Sequence, residues 1–287
     1  MTGPEASSSA ALARKAYKTV EPLHTAAYFA AEMGPAYAAA GVKGTMRGYF
    51  AVRSAPMGQV SAEVVVATFY NFSPTLVAEA IPSVWQETTP EAILAARLSG
   101  IDAVYRRVLG DAVVASAEMA EAAELAREAT TATSGVGRAL FAGHAGLPWP
   151  DAPHLQLFHA QTLLREYRGD GHVAALALAG LDAIGALVTH LATDEASMAL
   201  PMVRATRGWT DEEWEAGKAR VQERGLVDAE GKATAAGKAL REEIEQQTDE
   251  AAAAPYVHLG PERVERLRTL TRPWSKAITA DVFGGTR

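Results

Sequence analysis

The sequence predicts a mainly α-helical protein, and three observations lead to this fold class. Alanine is abundant throughout the 287 residues, and apolar residues recur at spacings of three and four along most of the chain. Runs of β-branched residues are short, so few segments favour strands. A hydrophobic fraction of 48% and a charged fraction of 21% are typical of a globular protein with a full core and one or two domains.

The composition excludes several classes of protein. The lack of cysteine excludes disulfides, thiolate catalysis and cysteine-ligated metals. No apolar run approaches the roughly 18 residues of a membrane span, and the N-terminus lacks the apolar core of a secretory signal. We therefore expect a cytoplasmic protein that does not interact with membranes. The formal net charge of −7 disfavours nucleic-acid binding, although it is compatible with a local basic patch.

Helical segments fill the first half of the chain. We expect residues 1–10 to be a disordered lead and a helix to cover 11–40, with breaks at Pro22 and again near Gly34 and Pro35. Further helices follow, and capping residues, glycine and proline set their boundaries. These helices cover 45–53, 61–70, a segment from 74 that is interrupted at 82, 90–109 and 110–138.

A linker at 141–153 is predicted to divide the chain into two halves. The stretch FAGHAGLPWPDAP contains glycine and proline residues that interrupt the helical periodicity. Residues 11–140 form the N-terminal half and residues 154–287 the C-terminal half. Gly58-Gln59-Val60 and Gly171-His172-Val173 precede buried helices in the two halves. This shared order indicates a tandem duplication, although alanine-rich helices also match one another by chance.

The C-terminal half is also predicted to be helical. It begins with a helix over 154–167, and a turn at Arg168-Gly169-Asp170-Gly171 separates this helix from a buried helix over 172–190. Further helices cover 196–206, 235–253 and 260–278.

The most specific pattern of the chain lies in this half. Thr210 and Glu213 have the spacing of a capping box, and Gly225 ends the helix that they begin. Residues 226–227 and 233–234 are predicted to be the two short strands of a wing, joined by a turn. A helix, a small β-wing and a second helix in this order are the layout of a winged helix.

This layout resembles that of MarR-type proteins, through Arg224-Gly225-Leu226-Val227 and the run from Thr234 to Leu240. Nearly all of 17–278 also resembles an actinobacterial family labelled helix-turn-helix or SalK-like. Its matching stretches are Glu21-Pro22-Leu23-His24, Arg47-Gly48-Tyr49-Phe50, Phe69-Tyr70-Asn71-Phe72, Arg168-Gly169-Asp170-Gly171-His172 and Arg207-Gly208-Trp209. The resemblance implies a tandem MarR-like architecture, with a degenerate winged helix in the N-terminal half, and it implies little about activity.

The predicted recognition helix is poorly suited to DNA. Its first turn is Asp211-Glu212-Glu213, at the end that enters the major groove in helix-turn-helix proteins. Affinity for duplex DNA comes largely from phosphate neutralisation by lysine and arginine, whereas acids in a first turn stabilise the helix through its dipole. We expect DNA reading to be weakened or lost. The candidate DNA contacts are Lys218, Arg220, Arg224 and Lys232.

Several polar and aromatic residues are candidates for binding a small molecule in a cleft between the halves. Arginine forms bidentate contacts to carboxylates and phosphates, and aromatic residues line ligand pockets. The candidate ligand-binding residues are His24, Tyr28, Arg47, Arg53, Asn71, Arg165, Arg168 and His172. The MarR resemblance implies small aromatic ligands bound between the dimerisation helices and the winged lobe.

An enzyme of specialised metabolism that reuses the winged-helix fold is the alternative. The candidate acid–base residues are His172, Asp170, His24 and His159. Asp170 has a second interpretation as a helix N-cap. No two histidines form a tight metal-binding pair, so no metal site and no cofactor are predicted, while a cluster of His24, His159 and His172 or a bound organic ligand stays open.

The leading hypothesis is therefore a small-molecule-binding protein on a tandem MarR-like scaffold. Such a protein is a sensor-type transcriptional regulator whose own recognition helix contributes little to DNA binding. Whether it catalyses a reaction is left open by the sequence. A monomer and a homodimer are both compatible with it, because an internal pseudo-dimer needs no partner, whereas the helix over 260–278 offers a surface for pairing.

Overall fold

The computed structural model describes residues 4–193 and 199–284, and it is mainly helical, as the sequence predicts. In chain order the first helices are α1 (Pro4–Phe29), α2 (Met33–Ala39), α3 (Thr45–Ser54), α4 (Ala62–Phe69), α5 (Pro74–Ala80), α6 (Pro90–Leu109), α7 (Asp111–Val114), α8 (Ala117–Thr130) and α9 (Ala139–Ala145). They are followed by α10 (Pro153–Leu178), α11 (Ala183–Leu191), α12 (Leu200–Arg207), α13 (Asp211–Glu223), α14 (Ala235–Ala251), α15 (Ala254–Leu259) and α16 (Pro261–Phe283). Short 3₁₀ helices lie at Ala55–Met57 and Ser83–Gln86.

The first helix differs from its prediction in two places, at its start and at Pro22. α1 begins at Pro4, before the expected start near Ala11, and it passes through Pro22 without a break. A proline inside a helix removes one backbone hydrogen bond. Leu23 next to it is fully buried, as are other apolar residues on the same face. Burial of this face compensates for the lost hydrogen bond, so the helix continues.

The turn predicted at 168–171 is absent, because α10 continues from Pro153 to Leu178. Glycine ends a helix when it adopts a positive φ, and neither Gly169 nor Gly171 does so. The chain turns instead at Gly180, whose φ is +65°. The helix predicted over 172–190 is therefore the end of α10 together with α11. Part of the helix predicted over 196–206 lies outside the described residues.

The chain divides into two compact units. Unit 1 comprises residues 1–59, 84–170 and 249–287, and unit 2 comprises residues 60–83 and 171–248. Unit 1 thus contains the whole stretch 141–153 that was expected to be a linker, together with segments on both sides of it. Residues 139–145 within and beside this stretch form α9.

Unit 1 is built around α1, which packs along α16, and α6, which contacts α1, α2, α3 and α16. Apolar side chains at helical spacing, such as Ala16, Leu23 and Ala27, are almost completely buried. Tyr105 on α6 is also buried, and its hydroxyl donates to the carbonyl oxygen of Leu23 over 2.9 Å. The polar atom of this ring is therefore satisfied inside the core.

Unit 2 contains the predicted helix-turn-helix elements, and α13 packs on α11 within it. The backbone nitrogen of Thr210 donates to Glu213 Oε2 over 2.9 Å, and that of Glu213 donates to Thr210 Oγ1 over 3.2 Å. Trp214 and Val221 are buried in the core of this unit. Gly225 follows the helix with a φ of +67°. The predicted capping box and glycine stop are confirmed.

The prediction of a β-wing is wrong in its extent, because no residue in the described part of the chain forms a strand. Val227 and Ala233 form one isolated antiparallel bridge. α14 begins directly after this bridge, since Thr234 Oγ1 accepts from the backbone nitrogen of Gly237 over 3.1 Å and so caps the helix. Gly237 also packs on the carbonyl oxygen of Leu226, where a Cβ would lie 1.9 Å away. The early start of α14 thus limits the wing to a single bridge.

Gly237→Ala is expected to destabilise unit 2, because the added methyl group overlaps a backbone atom that cannot move independently. We expect the free energy of unfolding to fall by about 2–3 kcal/mol, at the upper end for an overpacked site. Urea unfolding followed by circular dichroism measures it. The neighbouring exposed change Lys238→Ala should stay within about 0.5 kcal/mol of the original protein, and a similarly small effect of Gly237→Ala would contradict the close packing.

Among the described residues, no single helix is both long enough and apolar enough to cross a membrane. The helices Pro153–Leu178 and Ala183–Leu191 meet these two conditions only when they are taken together as a consecutive pair.

Candidate functional site

The interior of unit 1 contains a group of ionisable side chains, which we call the buried polar cluster. Five helices contribute to it. Its members are His24 and Tyr28 from α1, Arg53 from α3, Arg97 from α6, His144 from α9, and His159, Arg165 and Glu166 from α10. Burial removes these groups from water, so their polar atoms need partners in the protein or in a ligand.

Helical periodicity turns several of these residues inward. His24 and Tyr28 are four residues apart, so they lie on one face of α1. Phe158, Thr162 and Arg165 recur at spacings of four and three on α10 and share a face in the same way. The rings of His24 and Phe158 stack with their centroids 5.7 Å apart. The two helices therefore meet along these faces.

A close contact of α9 brings His144 into the cluster. α9 packs against the 3₁₀ helix Ala55–Met57, which directly follows α3. A Cβ at Gly143 would lie 2.7 Å from the carbonyl oxygen of Pro56. Any side chain at this position would push α9 outward, so glycine is required for the placement of His144.

His24 is held as a neutral imidazole by two hydrogen bonds. Thr162 Oγ1 donates to the carbonyl oxygen of Phe158 over 2.9 Å, which leaves it free to accept from His24 Nδ1 at 3.0 Å. His24 Nε2 then accepts from the hydroxyl of Tyr28 at 2.8 Å. Burial and the charge of Arg165 lower the pKa of His24 well below its ordinary value. Its proton therefore stays on Nδ1 at neutral pH.

Glu166 is an ionised carboxylate between two guanidinium groups. Arg165 Nη1 lies 2.7 Å from Oε1, and Arg53 Nη2 lies 3.4 Å from Oε2. Burial alone would raise the pKa of Glu166, but the charges of Arg165 and Arg53 outweigh it, and the pKa lies below its ordinary value. Arg53 also donates to the Tyr49 hydroxyl over 2.8 Å, and Arg165 donates to Glu21 over 3.1 Å.

Three other members have polar atoms to which the described residues supply no partner. These atoms are Nε of Arg97, Nδ1 of His144 and Nε2 of His159, and their residues are only 4%, 2% and 3% exposed. The guanidinium of Arg97 lies 5.5 Å from the ring centroid of Phe158 and forms no ion pair with a described residue. Burial and the charge of Arg97 lower the pKa of both histidines, that of His159 to about 4.

Positive charge exceeds negative charge in this interior. Arg53, Arg97 and Arg165 lie among the carboxyl groups of Glu166 and Glu21, so a net charge of +1 remains even if both carboxyls are ionised. Burial raises the pKa of Glu21 despite the opposing charge of Arg165, which increases the imbalance. A buried charge without a counter-charge is unfavourable by several kcal/mol. The site is thus suited to an anion.

Four residues that the sequence marks as ligand-binding lie together here, namely His24, Tyr28, Arg53 and Arg165, along with the acid–base candidate His159. Arg97, His144 and Glu166 were missed. Arg97 had a usable signal, because it lies four residues from both Ile93 and Ile101 on the buried face of α6. No sequence pattern points to His144 or Glu166.

Two predicted arginines of unit 1 form pairs outside the cluster. Arg47 pairs with Glu87, whose side chain is exposed. Arg168 Nη2 lies 3.0 Å from Asp249 Oδ1, and its guanidinium lies 4.7 Å from the ring centroid of Tyr17. Both arginines thus have structural partners that account for their positions.

The other predicted site residues also have structural partners. Asp170 Oδ2 accepts from the backbone nitrogen of Phe141 over 2.9 Å, so it caps the start of α9. Because Asp170 lies inside α10, it is not the N-cap of a following helix that the sequence suggested. In unit 2, His172 Nδ1 lies 2.9 Å from Thr248 Oγ1. The backbone oxygen of Asn71, two residues after the end of α4, accepts from the indole nitrogen of Trp209 over 3.1 Å. In the described part of the chain, no group of three or more acidic or histidine side chains is arranged to hold a metal ion.

The candidate DNA contacts lie on and after α13 in unit 2. Arg220 Nε donates to Asp182 Oδ2 over 2.8 Å, and Arg224 donates to the carbonyl oxygen of Gly180 over 2.6 Å. Both arginines therefore join α13 to the start of α11. Lys232 is exposed at the tip of the bridge, and Lys218 is half-buried.

Acids dominate the start of α13. Asp211, Glu212 and Glu213 are exposed in its first turn. Asp211 is paired with Arg204, and Glu213 belongs to the capping box. This end of the helix presents negative charge, which repels phosphates, and Arg204 is already paired with Asp211.

The comparisons with known proteins agree with this helical architecture. A family model described as "Helix-turn-helix family" matches residues 13–284 of the 287-residue chain. No curated protein and no solved structure matches the chain significantly. Because the match extends over almost the entire sequence, the chain belongs to this helix-turn-helix family.

Proposed function

We propose that this protein binds a small organic molecule inside unit 1 and is a sensor-type regulator whose own recognition helix contributes little to DNA binding. The observation that carries the proposal is the buried polar cluster. Arg97 and three histidines are buried there beside the half-buried Arg53 and Arg165, yet polar atoms of Arg97, His144 and His159 have no partner in the described chain. Ligand sites combine an apolar surround with a few such polar groups.

The surroundings of the cluster also favour a ligand. Phe158 lies against both His24 and Arg97, and Trp149 lies edge-on to His159 with the centroids 4.7 Å apart. These rings supply apolar surface beside charged groups. An interior made only for stability would gain from apolar residues at such positions, because buried charges are costly.

The proposal extends to the finer classification of the fold. Unit 2 has the capping box, glycine stop and helix order that resemble those of MarR-type and SalK-like proteins. We propose that this unit has a MarR-like fold. We also propose that the whole chain has a tandem MarR-like architecture. A cytoplasmic location, the absence of a tightly bound metal or other cofactor, and a monomeric or homodimeric state belong to this proposal.

Native mass spectrometry of the full chain, purified directly from cells, tests ligand binding. We expect an additional mass that disappears on denaturation, or a rise in Tm of several degrees with at least one compound of a small-molecule library. If no compound is retained or raises the Tm, and the protein binds promoter duplex with a steep salt dependence, it is an ordinary DNA-binding repressor.

Duplex DNA binding is expected to be weak and to strengthen when α13 loses acids. In the double variant Glu212→Lys and Glu215→Lys, the log–log slope of affinity against salt should become steeper by about 1–2, because each new phosphate contact releases roughly one counterion. Fluorescence anisotropy across a salt series measures it. The variant Glu118→Lys and Glu124→Lys on α8 has the same change in net charge, and an equal effect there would contradict a role for α13.

An enzyme is the second candidate function, and the Tyr28–His24–Thr162 hydrogen-bond chain favours it. Nε2 of His24 is an acceptor next to a phenol, an arrangement that can move a proton. Incubation of the compound that co-purifies with the protein, followed by mass spectrometry, separates the two functions. An enzyme changes the compound, and His24→Gln abolishes the change without loss of binding. A binding protein returns the compound intact.

A further inference from the structure

We propose that Arg97, His144 and His159 form an anion-binding subsite in unit 1 that takes the carboxylate of a small organic acid. This inference rests on the proposed function, because it names the part of the ligand that the interior recognises. It concerns only the part of the buried polar cluster that Glu166 and the hydrogen bonds of His24 do not satisfy.

The subsite is created by tertiary structure. Its three residues come from α6, α9 and α10, and each contributes a buried polar atom that no described residue satisfies. The guanidinium of Arg97 lies 5.5 Å from the ring centroid of Phe158, the residue before His159 on α10. The helices α6 and α9 both pack on the 3₁₀ helix Ala55–Met57, and the charge of Arg97 acts on both histidines. Phe158 and Trp149 add apolar surface next to them. An acid with an organic body matches this combination of a charged end and ring surfaces.

The charges select an anion over a metal cation. Arg97 is cationic and its charge acts on both histidines, so it would repel a metal ion bound by their nitrogens. The guanidinium fork forms bidentate contacts to planar carboxylates. The excess charge of the interior is +1 with both glutamates ionised, and a monocarboxylate neutralises it. While both histidines are neutral, as in the free protein, a phosphate dianion would leave an excess of negative charge.

Binding is coupled to protonation of the histidines. The charged groups around His144 are Arg53 from α3, Arg97 from α6 and Arg165 from α10, with His159 as a further titratable neighbour. Burial and these cations keep the pKa of His144 and His159 low in the free protein. A bound carboxylate favours the imidazolium form and raises these pKa values. The protein then takes up protons on binding, so its affinity increases as the pH falls toward the free-protein pKa of His159 of about 4.

Thermal unfolding of the full chain in sodium formate tests the subsite, because formate is the smallest carboxylate and needs no particular ligand body. Sodium chloride at the same ionic strength is the reference, and formamide is the uncharged analogue. We expect formate to raise the Tm above the chloride value, by more at about pH 6 than at about pH 8, and formamide to have no effect. In Arg97→Met the formate-specific increase should disappear.

A matched control comes from the same helix. Arg106 on α6 is exposed and pairs with Asp102 and Asp111. Arg106→Met should keep the full response to formate. If Arg97→Met fails to fold, Arg97→Lys replaces it, since lysine keeps the charge but lacks the bidentate fork, and the apparent affinity for formate should fall at least several-fold.

Four outcomes overturn the inference. These are equal Tm values in formate and chloride, a formate response that survives in Arg97→Met, a response to inorganic phosphate without one to formate, and an affinity that falls with decreasing pH. If a co-purifying compound still binds the original protein and Arg97→Met equally, the subsite is wrong and the proposed function stands. If no compound binds at all, the proposed function fails as well.

Discussion

Glu166→Gln is expected to lower the free energy of unfolding by about 3–5 kcal/mol, the range measured when one partner of a buried ion pair is removed. Glu166 Oε1 lies 2.7 Å from Arg165, and Oε2 lies 3.4 Å from Arg53. Glutamine has almost the same shape but no charge, so the variant leaves the buried Arg97 and the half-buried Arg53 and Arg165 with only Glu21 as a counter-charge. Urea unfolding at neutral pH measures the loss.

An exposed pair provides the control for this variant. Glu265 pairs with Arg268 and Arg272 on α16, and its side chain is 54% exposed. Glu265→Gln should change the stability by less than about 1 kcal/mol, because solvent screens surface ion pairs. If Glu166→Gln costs no more than this control, the charge of Glu166 does not stabilise unit 1.

The pH dependence of the same variant has a defined sign. The folded pKa of Glu166 is lowered, so its ionised form contributes stability above the unfolded pKa near 4.5. This contribution is lost as the pH falls through the lower folded pKa. The stability difference between the original protein and Glu166→Gln should therefore be constant above about pH 5 and shrink in more acidic buffers.

Arg97→Met is expected to act in the opposite direction in the absence of ligand. Arg97 is 4% exposed and pairs with no carboxylate of the described chain, and burial lowers its pKa. Methionine fills a similar volume and packs well against an aromatic ring such as Phe158. Removal of the uncompensated charge should raise the free energy of unfolding by about 1–4 kcal/mol.

The same change should abolish anion-dependent stabilisation, so one substitution exchanges binding for stability. Such an exchange is typical of functional sites, where buried polar groups are kept at a cost in stability. Urea unfolding with and without formate measures both effects. A large loss of stability in Arg97→Met would show that Arg97 is a structural residue and would remove the main support for an anion site.

Local sequence signals located most helices well. α6 has the predicted bounds, because Thr89 caps it, Pro90 occupies its first position and Gly110 ends it. The capping box of α13 was equally visible, since it depends only on Thr210 and Glu213. These signals act within a few residues of one another, and tertiary packing does not change them.

Local signals failed where packing outweighs them. Pro22 lies inside α1, and the glycines around Asp170 lie inside α10, because the helices bury apolar faces on either side of these residues. The wing shrank to one bridge for a similar reason, since α14 packs directly on Leu226. Glycine and proline permit a break, but they do not require one.

Five of the eight members of the buried polar cluster were accessible from the sequence. His24 and Tyr28 were predicted on an early helix beside a pocket, Arg53 and Arg165 beside turns, and His159 as an acid–base candidate. Glu166 was not predicted, because an acid beside an arginine is common on solvated helix surfaces. The predicted location in a cleft between sequential halves stays a prediction, whereas the cluster itself lies inside unit 1.

The sequence by itself determined the helical class, the helix-turn-helix family and the acidic start of α13. These properties depend on composition and on neighbours along the chain. Only the tertiary structure decided which polar side chains lose contact with water and which of them meet. Periodicity assigns Arg97, His144 and His159 to faces of three separate helices, but it does not show that these faces meet. Burial strengthens the interactions of these polar groups and leaves one polar atom of each residue without a partner in the described chain, which is the basis of the proposed subsite.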